Sequence, residues 1–63
     1  MDVLKIIKTY FKEHGLPKPK AVFLDDITPM HGRIYAVKCG WFKIRTYHVY
    51  ILGGKIYSVR LRG

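Results

Sequence analysis

Thr46-Tyr47-His48-Val49-Tyr50-Ile51-Leu52-Gly53-Gly54-Lys55-Ile56-Tyr57-Ser58-Val59-Arg60-Leu61-Arg62 is the stretch that decides the fold of this chain. Two runs rich in β-branched and aromatic residues flank a Gly-Gly pair, and such side chains suit the pleated, half-buried surface of a strand. The glycines supply the positive φ angles of a two-residue hairpin turn. A turn of that length sets a register in which Leu52 faces Lys55, Ile51 faces Ile56, Tyr50 faces Tyr57 and Val49 faces Ser58. Continued outward, His48 faces Val59, Tyr47 faces Arg60, Thr46 faces Leu61 and Arg45 faces Arg62. Side chains alternate across a sheet. One side therefore holds Phe42, Ile44, Tyr50, Tyr57, Val59 and Leu61, the expected core, together with His48. The other side holds Arg45, Tyr47, Arg60 and Arg62.

Upstream, the same reading extends the sheet. Residues 41–52 read as one long strand and residues 33–38 as the strand before it, with Cys39-Gly40 as the intervening turn. That turn adds Tyr35 and Val37 to the core face, and Lys38, Trp41 and Lys43 to the opposite face. Residues 20–25 read as a first strand. Asp25-Asp26 and Thr28-Pro29-Met30-His31-Gly32 carry turn chemistry. Residues 2–14 read as a helix with Asp2 as N-cap, Gly15 as the left-handed residue at its end, and Pro17 and Pro19 blocking continuation. Val3, Leu4, Ile7, Tyr10 and Phe11 recur at helical spacing, and Lys5, Lys8, Thr9 and Lys12 occupy the opposite side. The expected fold is α+β: one N-terminal helix packed on one face of a three- to four-stranded antiparallel meander, in the order α-β-β-β-β, as a single domain over residues 1–63.

Composition sharpens the functional reading. The 63 residues carry 12 Lys or Arg against 4 Asp or Glu, a formal charge of +8, and 49% are hydrophobic, enough for one small core. No Asp or Glu follows Asp26, whereas seven Lys or Arg residues do. Asn and Gln are absent altogether, a depletion of thermolabile residues that resembles proteins from hot environments. One cysteine excludes an internal disulfide framework. The opening Met-Asp-Val-Leu-Lys has no basic region followed by a continuous apolar stretch, and no run is long enough to span a membrane, so a cytoplasmic location is expected.

Five of the seven late cations fall on the expected open face. Lys38, Lys43, Arg45, Arg60 and Arg62 are the candidate phosphate contacts there, with Trp41 and Tyr47 for stacking or wedging. Like charges directly opposite each other destabilise a sheet, so an Arg45–Arg62 pair calls for an anion above it. The expected function is nucleic-acid binding, DNA or RNA, through the phosphate backbone with weak sequence preference. The alternative is a protein–protein interaction or regulatory module, of viral or mobile-element type, docking an acidic partner. An apolar end formed by Val49, Ile51 and Ile56 further suggests a homodimer. His14, His31 and His48 have no metal-ligand spacing, and adjacent Asp25 and Asp26 read as turn residues rather than as an acid–base pair. No catalytic residue, metal or cofactor is expected in the leading reading.

A third reading comes from resemblance. The helix ending at Gly15, the run Thr46-Tyr47-His48-Val49-Tyr50, the glycine turn and Lys55-Ile56-Tyr57-Ser58-Val59 resemble the small HicA family, basic RNA-cleaving toxins with a double-stranded-RNA-binding-like fold. That resemblance implies an RNase in which His48 is the general base or acid.

Overall fold

Asp2 starts the helix. Its carboxylate accepts from the Lys5 backbone N–H at 3.2 Å, filling one of the donors left open at a helix N-terminus. Helix α1 runs over Val3–Glu13, and the computed structural model describes residues 2–40 and 42–63. The far end closes as a Schellman motif: Leu16 N–H donates to the Phe11 carbonyl at 2.8 Å and Gly15 N–H to Lys12 at 3.4 Å, with Gly15 at φ 68°. His14 folds back over the last turn. Its ring stacks on Tyr10 at a centroid distance of 3.9 Å, and Nδ1–H donates to the Tyr10 carbonyl at 2.8 Å.

Four strands follow: β1 (Pro19–Thr28), β2 (Gly32–Cys39), β3 (Arg45–Leu52) and β4 (Lys55–Leu61). They form one antiparallel sheet in the order β1-β2-β3-β4, which is the expected α-β-β-β-β meander. Among the described residues α1 is the one helix, and no helix is long and apolar enough to cross a membrane.

The register gives the core its composition. Paired residues share a side of the sheet, so the helix side carries the rows Val22–Val37–Tyr47–Leu61, Leu24–Tyr35–Val49–Val59 and Ile27–Arg33–Ile51–Ile56. Ile7 and Phe11 of α1 press onto the middle of these rows, and Tyr35, Val37, Cys39, Tyr47, Val49 and Ile51 are buried beneath them. Phe11 meets the Tyr47 ring edge-on at 5.4 Å, a favoured aromatic geometry. One helix is too narrow to cover four strands. Leu24, Ile27 and Leu61, at the ends of these rows, accordingly remain about half exposed or more, and Leu4 is 46% exposed despite its place in the helical stripe.

The two faces of β3 are therefore the reverse of the expected ones. Tyr47, Val49 and Ile51 face the helix, while Thr46, His48, Tyr50 and Leu52 face away. The Gly53-Gly54 turn does pair Leu52 with Lys55 and Ile51 with Ile56, but a bulge follows: the next pairs are Tyr50–Ser58, Val49–Val59, His48–Arg60 and Tyr47–Leu61. Tyr57 is the extra residue. A straight ladder could bury Val59 and Leu61 only by burying Thr46 and His48 with them. Slipping one residue brings Val59 and Leu61 over Val49 and Tyr47 and avoids that penalty. The expected apolar dimer surface of Val49, Ile51 and Ile56 thereby belongs to the core.

The second correction lies in the β2–β3 connection. Cys39 pairs with Arg45, so Gly40 and residues 42–44 lie in the connecting loop and β3 begins at Arg45, not at position 41. Gly40 makes the loop possible. It sits at φ 102°, and a Cβ there would collide with the Lys43 carbonyl. Phe42 and Ile44, expected in the core, are exposed in this loop. β1 is also longer than expected. Asp25 and Asp26 lie inside it, at a bulge between Leu24 and Asp26, rather than in a turn.

Candidate nucleic-acid interface

The face turned away from α1 can be read row by row from the pairing. Its first row is Ala21–Lys38–Thr46, and the ladder continues to Arg62, whose backbone N–H donates to the Thr46 carbonyl at 2.7 Å. The second row is Phe23–Ala36–His48–Arg60, and the third is Asp26–Ile34–Tyr50–Ser58. Lys38, Arg60 and Arg62 thus stand in two adjacent rows, all exposed. Thr46 and His48 separate Lys38 from the two arginines.

The other sequence-derived candidates divide. Tyr47 is 7% exposed in the core and cannot stack on a ligand. Arg45 pairs with buried Cys39, so alternation turns it to the helix side, and the expected Arg45–Arg62 pair does not form. Lys43 is exposed in the loop at the same end of the sheet as Lys38 and Arg62. Trp41 lies outside the described residues. What unites most of the set is an end of the sheet rather than a face. Lys18, Lys20, Lys38, Lys43, Arg45 and Arg62 all lie on or next to the strand ends around the β2–β3 loop, whereas Asp25 and Asp26 sit further along β1.

Residues that the straight-ladder register hid make up the rest of the open face. His48 approaches Asp25 of the β1 bulge, with Nε2 and Oδ2 3.8 Å apart and the side chains 23% and 51% exposed. Ala36 lies between their strands in the same row as His48, and its small side chain leaves room for that approach. The separation exceeds hydrogen-bonding distance, so the contact is electrostatic and arises when His48 is protonated.

Beyond it, the bulge re-aims Tyr57. The Tyr57 hydroxyl donates to the His31 carbonyl at 2.9 Å, its ring lies 5.9 Å from Tyr50, and the His31 ring meets Tyr50 edge-on at 6.4 Å. The Thr28 hydroxyl accepts from His31 N–H at 2.9 Å and fixes the turn that carries this histidine. Together His31, Ile34, Tyr50, Tyr57, Ser58 and Arg60 line a shallow recess of about 340 Å³. One sequence signal could have revealed all this: the spacing Ile56, Val59, Leu61, three and then two, is that of a strand interrupted by one extra residue.

Among the described residues, Cys39 is the one group whose titration is displaced from its ordinary value. Burial pushes its thiol pKa up, so it stays protonated and unreactive. Among the described residues, no group of three or more His, Cys, Asp or Glu is arranged to hold a metal ion. No protein-family model matches the chain, and neither a curated protein nor a solved structure matches it significantly.

Proposed function

We propose that this chain is a small basic nucleic-acid-binding protein that grips the phosphate backbone at the β2–β3 end of its open sheet face, with weak sequence preference. One observation carries the reading: Lys38, Arg60 and Arg62 stand exposed in two adjacent rows, and β2, β3 and β4 contain no carboxylate. Unmatched cations at that spacing repel one another, and bound phosphates relieve the repulsion. Guanidinium groups suit phosphate because they donate two parallel hydrogen bonds. Lys43 lies close enough in the adjoining loop to lengthen the contact.

A gel-shift series with duplex DNA, single-stranded DNA and RNA at two salt concentrations tests this. Wild-type protein should shift at least one of the three, and the shift should weaken at higher salt. Arg60→Glu/Arg62→Glu should lose binding by tenfold or more. Binding untouched by the double reversal would remove the sheet face from the account. Absence of binding to every probe would favour docking to an acidic protein instead.

A second reading is RNA cleavage, favoured by His48 standing on the open face near Asp25 and directly across from Arg60. A histidine beside a cation on an exposed surface is placed for proton transfer next to a phosphodiester. Incubation of RNA with wild type and His48→Ala, resolved on a denaturing gel, decides it. Cleavage that survives the substitution, or no cleavage by wild type, excludes this reading.

A further inference from the structure

We infer that the open face accepts single-stranded RNA, with one unpaired base seated in the recess bounded by His31, Ile34, Tyr50, Tyr57 and Ser58; this rests on the nucleic-acid reading above and names its substrate. Phe23 and Tyr57 are 55% and 49% exposed, an unfavourable state for large apolar surface unless something covers it. A duplex keeps its base faces stacked internally, so protruding rings gain little from it. A single strand offers each base as a stacking partner.

The recess is ready for such a base. Tyr57 is held by its hydrogen bond to His31, and its ring is set against Tyr50 at 54°, so little freedom is lost on binding. Ile34 supplies an apolar lining, Ser58 a hydroxyl, and Arg60 a cation at the edge toward the phosphate grip. Lys38 and Ile34 are four residues apart on β2, about 13 Å along the strand. A strand gripped at Lys38 and Arg62 therefore reaches the recess after a short run of backbone over His48.

Ribose enters through the groups between the cations. Thr46, His48 and Ser58 occupy open-face positions in the three successive rows, and each can donate to or accept from a 2′-hydroxyl. That hydroxyl is what distinguishes RNA from DNA.

Fluorescence anisotropy with labelled single-stranded RNA, single-stranded DNA, duplex RNA and duplex DNA of one length tests the inference, using wild type, Tyr57→Leu, Tyr57→Phe and Arg62→Glu. Single-stranded RNA should bind at least tenfold tighter than either duplex and measurably tighter than single-stranded DNA. Tyr57→Leu should cost about tenfold on single-stranded RNA with duplex binding unchanged, while Tyr57→Phe keeps the ring but loses the hydrogen bond that holds it, and should cost clearly less than Tyr57→Leu. Arg62→Glu should weaken every probe. Equal binding of single strands and duplexes, equal binding of RNA and DNA single strands, or a Tyr57→Leu loss shared by all probes would each overturn the inference. If Arg62→Glu still weakens binding in those cases, the phosphate grip stands; binding to none of the four refutes the nucleic-acid reading itself.

Discussion

Tyr47 and His48 are neighbours whose side chains go to opposite sides of the sheet, one into the core and the other onto the open face. Tyr47 lies edge-on to Phe11. Replacing it with alanine leaves a cavity and should cost roughly 3–5 kcal/mol, as for other buried aromatics. In a domain this small, most of the stability is at stake. Tyr47→Phe keeps the packing and should leave both melting and nucleic-acid affinity nearly unchanged. Chemical denaturation with parallel binding measurements checks both; selective loss of affinity in a folded Tyr47 variant would contradict its place in the core. Cys39 offers a second test at this scale. Its folded pKa is raised, so the folded state keeps a proton that the unfolded chain gives up. Its contribution is intact below the ordinary thiol pKa of about 8.5 and declines as pH rises above it. Denaturation midpoints between about pH 7 and pH 10 should therefore fall more steeply in wild type than in Cys39→Ala. Native Cys39 should also react slowly with thiol reagents and quickly after unfolding.

The decisive element is the β3–β4 hairpin. The sequence made the helix, the number of strands and the Gly53-Gly54 turn legible, because Asp2, Gly15 and the glycine pair act through local backbone chemistry. Face assignment was harder, since it depends on adding up both strands over their full length. The straight ladder brings Val59 and Leu61 inside together with Thr46 and His48. Only the bulge at Tyr57 lets the apolar set Tyr47, Val49 and Ile51 meet Ile56, Val59 and Leu61. Arg60 and Arg62 lie on the expected open face, while Arg45 and Tyr47 do not, because β3 presents its opposite face as a unit. The β2–β3 loop is not legible in the sequence for another reason: Phe42 and Ile44 continue an apolar alternation, and only Gly40 hints at a break. Deleting Tyr57 should turn the bulge into a straight ladder and keep Val59 and Leu61 opposite Val49 and Tyr47, and Arg60 opposite His48. Far-UV circular dichroism during heating should then show that a cooperative transition is retained. Loss of that transition would mean that Tyr57 is not the extra residue that sets the faces. Gly40→Ala should destabilise by at least about 1–2 kcal/mol, because the residue sits at φ 102° against the Lys43 carbonyl.

Across the whole molecule, charge is graded along the strands. The β2–β3 end collects cations, while Asp25 and Asp26 lie further along β1 and the recess lies toward the far end. On the proposed function, a polyanion would be attracted end-first and its backbone held before its bases. With Lys38, Arg60 and Arg62 as the contacts, a log–log plot of affinity against salt for single-stranded RNA should have a slope of about −2. A slope near zero would exclude a phosphate grip, and a much steeper one would bring in the lysines of α1. The direct test is a backbone amide NMR titration with a short single-stranded RNA. The account predicts that shifts concentrate at Lys38, Thr46, His48, Tyr57, Arg60 and Arg62 and leave Lys5, Lys8 and Lys12 unmoved. Shifts confined to α1, or none at saturating RNA, would contradict it.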